Sequence, residues 1–97
     1  MRLKKQEIES IKKITVECFG ADAKVFLFGS RTNDSKRGGD IDLYIETKTN
    51  KDILQKKLRM LKSLSNQLGE QKFDIVINNF RTNKLIYTIA QTEGIAL

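Results

Sequence analysis

The chain has 97 residues, with 18 Lys and Arg against 12 Asp and Glu and a formal net charge of +6. Anionic partners such as nucleotides, RNA or an acidic protein surface are therefore favoured. It has no His and one Cys, which excludes His-based acid–base catalysis, Ser-His-Asp triads, imidazole zinc sites and an internal disulfide.

This length predicts one domain over residues 1–97 with a core of modest size. The opening segment MRLKKQEIES lacks an apolar signal stretch, and no apolar run approaches the roughly 18 residues of a membrane span. A cytoplasmic chain with no membrane partner is expected.

Residues 4–19 read as an amphipathic helix, with Ile8, Ile11, Ile14 and Cys18 on one stripe and Gly20 as its stop. Cys18 is read as a packed small residue. KVFLF, residues 24–28, is apolar on both faces and predicts a buried strand. The polar stretch from Arg31 to Gly39 reads as a loop.

In DIDLYIE, residues 40–46, Ile41, Leu43 and Ile45 alternate with Asp40, Asp42, Tyr44 and Glu46. One face of this strand is expected in a core, while the other gathers negative charge. Asn50 is expected to cap a helix from Lys51 to Leu68, with a stripe of Leu54, Leu58, Leu61, Leu64 and Leu68 and a stop at Gly69. Lys56, Lys57, Arg59 and Lys62 read as its solvated face, with an interaction surface as the alternative.

KFDIVINNF, residues 72–80, predicts a strand whose one acid is Asp74. A last helix, Thr82 to Glu93, includes Leu85, Ile86, Ile89 and Ala90, stops at Gly94 and leaves an apolar tail, Ile95-Ala96-Leu97. Tyr44 and Tyr87 read as packed phenols. The order α-β-β-α-β-α predicts an α+β fold, a small mixed β-sheet with helices on one side.

Asp40 and Asp42 stand at i and i+2 of one strand, so both carboxylates leave the same face, roughly 6.5 to 7 Å apart. Such a pair repels unless a cation neutralises it, and Mg²⁺ is commonly held by one or two carboxylates plus substrate phosphates. If the strand of Asp74 lies alongside, three carboxylates converge.

Gly29-Ser30 after a buried strand, a polar spacer, Asp40-x-Asp42 and a later strand bearing Asp74 together resemble the nucleotidyltransferase superfamily that includes DNA polymerase beta. The resemblance covers essentially the whole chain. Its size, the Gly29-Ser30-Arg31 opening and the terminal EGIAL are similar to the minimal nucleotidyltransferases, although the spacer RTNDSKRGG is one residue shorter than is common in that subgroup.

The resemblance implies a polymerase beta-like fold in which Gly29, Ser30 and Arg31 bind the phosphates of ATP. Asp40, Asp42 and Asp74 would then be the catalytic carboxylates, holding two Mg²⁺ ions. It also implies a HEPN-domain ribonuclease toxin as partner in a hetero-oligomer. The chain would be the antitoxin of that pair, transferring AMP from ATP to a tyrosine of the toxin. Three other readings stay open: neutralisation by binding alone with an idle site, nucleotidyl transfer to a small molecule or to RNA with direct RNA contact, and a structural partner subunit.

Overall fold

The computed structural model describes residues 3–28, 41–69, 72–81 and 84–97. Three helices and four strands follow one another as α1 (Lys5–Phe19), β1 (Lys24–Phe28), β2 (Ile41–Glu46), α2 (Ile53–Leu68), β3 (Phe73–Asn78), α3 (Leu85–Glu93) and β4 (Ile95–Ala96). The strands form one sheet in the order β3-β2-β1-β4. β1 runs antiparallel to both β2 and β4, whereas β2 and β3 run parallel. The sheet is therefore mixed and the fold class α+β, as the sequence pattern predicts.

Alternation along the strands explains the layers. Val25 and Leu27 of β1, Ile41, Leu43 and Ile45 of β2, and Phe73 and Ile75 of β3 turn to one face. There they pack with Ile11, Ile14 and Cys18 of α1 and Met60 and Leu64 of α2. Cys18 is a packed residue, and burial pushes its thiol above its ordinary pKa, so it is kept as an unreactive thiol.

The expectation of helices on one side holds for α1 and α2. The third helix takes the other side: Tyr87 and Ala90 of α3 pack with Phe28 and Tyr44, with Phe26, Val76 and Ile86 around them. The face of β2 that carries Asp42 is thus apolar at its centre, and Tyr44 is fully buried rather than part of a charged surface.

Helix ends follow local chemistry. The Lys4 backbone N–H donates to the Glu7 carboxylate at 2.9 Å at the start of α1, and Gly20, at φ 104°, closes that helix with its N–H on the Val16 carbonyl. α2 departs from expectation. It begins at Ile53 after Asp52, at φ 53° and with no side-chain cap, so Asn50 is not its cap.

The apolar phase of α2 also differs. Met60 and Leu64 are buried, with Ile53, Leu61 and Leu68 packed beside them, whereas Leu54 and Leu58 are 68% and 56% exposed. In α3, Leu85 and Ile89 likewise face outward. The apolar tail forms strand β4 at Ile95–Ala96, with Phe26 opposite Ala96 and Leu27 opposite Ile95. No helix among the described residues is long and apolar enough to cross a membrane.

Candidate functional site

β1 ends at Phe28, while Asp42 and Asp74 are the second residues of β2 and β3. Antiparallel pairing sets Phe28 opposite Asp42, and parallel pairing sets Asp42 opposite Asp74. Residues in register on neighbouring strands lie about 4.8 Å apart and project from the same face. The two carboxylates therefore leave one end of the sheet side by side, Asp42 half-buried and Asp74 exposed.

The described chain stops at Phe28 and resumes at Ile41 at this same end. Gly29, Ser30, Arg31 and Asp40 lie outside the described residues. Of the six candidate residues, the structure brings together Asp42 and Asp74. Among the described residues no group of three or more His, Cys, Asp or Glu converges.

The donor chemistry fits a hard divalent ion. Both groups are carboxylates, the chain contains no His, and two anions in register on adjacent strands repel each other unless a cation is shared.

Toward the opposite end of the same face a closed hydrogen-bond network ties β2, β3 and α3 together. The buried Tyr44 hydroxyl donates to Glu46 Oε2 at 2.9 Å. It accepts from Asn78 Nδ2 at 2.9 Å and from Gln91 Nε2 at 3.0 Å, and Gln91 Nε2 also approaches Glu46 Oε2 at 3.2 Å. Asn78 Oδ1 accepts the backbone N–H of Phe80 at 2.9 Å. Burial pushes the Tyr44 phenol above its ordinary pKa; its bond to Glu46 acts the same way, and the Asn78 bond opposes them. Tyr44 is thus a fixed neutral donor. Its bonds link β2 to β3 and α3.

Asp74 also lies in a cavity of about 600 Å³ along the outer side of β3. Its walls include Ile53, Leu54 and Lys57 from α2 and Lys84, Ile86 and Tyr87 from α3. Sequence reading placed Lys57 on a solvated face and gave Lys84 no role. Nothing in helical periodicity marks a lysine that borders a cleft, because which strand edge it faces depends on tertiary packing.

No curated protein matches the chain. The family model described as Polymerase beta, Nucleotidyltransferase matches residues 7–97. That match spans α1 to β4 and includes the in-register acids, and it supports nucleotidyl transfer in general. With nearly the whole chain covered, the protein belongs to the polymerase beta nucleotidyltransferase family.

Proposed function

We propose that the chain is an antitoxin that transfers AMP from ATP to a tyrosine hydroxyl of a partner HEPN-domain toxin. The observation that carries this reading is the parallel register of Asp42 against Asp74 at the sheet end where β1 finishes. The family match supports the general chemistry.

In this mechanism the tyrosine oxygen attacks the α-phosphorus of ATP. A new oxygen–phosphorus bond forms as the bond to the β-phosphate oxygen breaks, and pyrophosphate leaves with that electron pair. Asp42, held in the sheet between Phe28 and Asp74, would serve the nucleotide side. Asp74, exposed on the neighbouring strand, lies on the acceptor side and takes the phenolic proton as the bond forms. Gly29, Ser30 and Arg31 would bind the triphosphate through backbone amides, a hydroxyl and a guanidinium. Asp40, Asp42 and Asp74 would hold Mg²⁺, which when bound offsets charge on the phosphates and the attacking oxygen.

The test uses ATP labelled in turn at the α- and γ-phosphate, with purified chain and partner toxin. Label from the α-position is expected on the toxin, none from the γ-position, and none at all after EDTA. Transfer of γ-label, or α-label delivered equally to RNA without the toxin, would overturn this reading.

A further inference from the structure

β3 is a terminal strand of the sheet, and its outer side has no strand partner among the described residues. Its backbone phase follows from two bonds to the inner side: Lys72 O accepts from Ile41 N at 2.9 Å, and Asn78 O accepts from Thr47 N at 3.1 Å. Strand alternation then turns the backbone N–H and C=O groups of Phe73, Ile75 and Ile77 outward. The Ile77 carbonyl accepts from the Tyr87 hydroxyl at 2.9 Å, in keeping with that phase.

The cavity beside Asp74 is lined by Ile75, Val76 and Ile77 together. Ile75 and Val76 belong to opposite faces of the sheet and pack into different apolar clusters. One cavity touches both because it opens onto the strand edge itself, with α2 forming one wall and α3 the other.

Exposed edges are usually blunted by Lys, Pro or a bulge. β3 reads Phe-Asp-Ile-Val-Ile-Asn, unbroken in register with β2 and free of Lys and Pro. Its one charge is Asp74, and the walls contribute two cations, Lys57 and Lys84, with Leu54 strongly exposed between solvent and groove.

We infer that this edge docks the acceptor: an extended, acidic segment of the partner protein adds as a strand alongside β3 and carries its tyrosine toward Asp74. This rests on the reading of Asp74 as the acceptor-side carboxylate. Backbone pairing through the Ile75 N–H and C=O and the Ile77 N–H supplies the docking, the Ile77 carbonyl being held by Tyr87, and Lys57 and Lys84 select acidic side chains. Aliphatic walls favour a polypeptide over RNA. Among the described residues the one aromatic ring lining the groove, Tyr87, is buried and offers no platform for base stacking.

The probe is a synthetic peptide alternating valine and glutamate around one tyrosine. It is compared with the same peptide carrying lysine for glutamate and with oligoadenylate of equal charge. Binding to the full chain is read by titration, and protection of individual amides by hydrogen exchange. The glutamate peptide is expected to protect the Ile75 and Ile77 amides and to bind at least about tenfold more tightly than the lysine peptide.

Lys57→Glu with Lys84→Glu should reverse that preference while Mg-ATP binding is kept. Ile77→Pro, which removes an outward N–H, should weaken the peptide alone. Absence of peptide binding, binding that leaves both amides unprotected, stronger protection by oligoadenylate, or protection that grows with chain concentration in the absence of peptide would each overturn the inference. The last result would assign the edge to a second copy. Because neither readout requires catalysis, failed docking and failed nucleotidyl transfer are separately visible.

Discussion

Asp42 and Asp74 bring two negative charges into register on strands about 4.8 Å apart. Neighbouring like charges repel, and a shared divalent cation removes that repulsion. Asp42→Asn is expected to lower transfer at least about a hundredfold. Its melting free energy should stay within about 1 kcal/mol of the parent, since repulsion is relieved as a ligand is lost. Activity and chemical denaturation on the same preparation check both. Tyr44 makes a different prediction. Its folded pKa lies above the ordinary value of about 10, so above pH 10 the folded chain keeps a proton that the unfolded chain releases. The stabilisation is full below that pH and is lost as pH rises through the folded value. An ultraviolet titration should show a phenol that ionises late, and Tyr44→Phe should remove that phase.

Individual elements differ in how far their sequences disclose them. β1 spans Lys24–Phe28, as its apolar run predicts, and α1 differs by one residue from its periodic pattern. Both are set by local signals, an apolar block and a glycine stop. The phase of α2 was legible only in part, because its sequence offers two overlapping apolar stripes. The expected stripe of Leu54, Leu58, Leu61, Leu64 and Leu68 holds for its last three residues, while contact with α1 and the sheet packs Ile53 and Met60 inward in place of Leu54 and Leu58. β4 was not legible, since two residues acquire strand character only by pairing with β1. This pairing brings the chain at Gly94 close to α3 and β1. A Cβ there would meet the Ala90 carbonyl and lie 3.3 Å from the Phe26 Cβ. Gly94→Ala is therefore expected to cost about 1 to 3 kcal/mol, seen as a lower urea midpoint with an unchanged slope.

At the scale of the molecule, the sheet brings to one end what the sequence keeps far apart. Asp42 and Asp74 are 32 positions apart in the chain and in register in the sheet. Alternation within each strand gave the face, and the family resemblance gave the pairing; neither disclosed the cleft, which needs α2 and α3 placed on opposite sides of β3. Leu54, Leu58, Leu85 and Ile89 remain exposed on those two helices, on a chain whose net charge is +6. An apolar surface of this kind beside basic residues suits an acidic protein partner. Protein nucleotidylation is read from the intact mass of the proposed HEPN-domain partner after co-expression with the wild-type chain and, separately, with Asp42→Asn. The proposed transfer predicts a gain of one or more AMP units on the toxin with the wild-type chain alone. An unchanged toxin mass, with the toxin neutralised equally by both chains, would contradict it and assign neutralisation to binding.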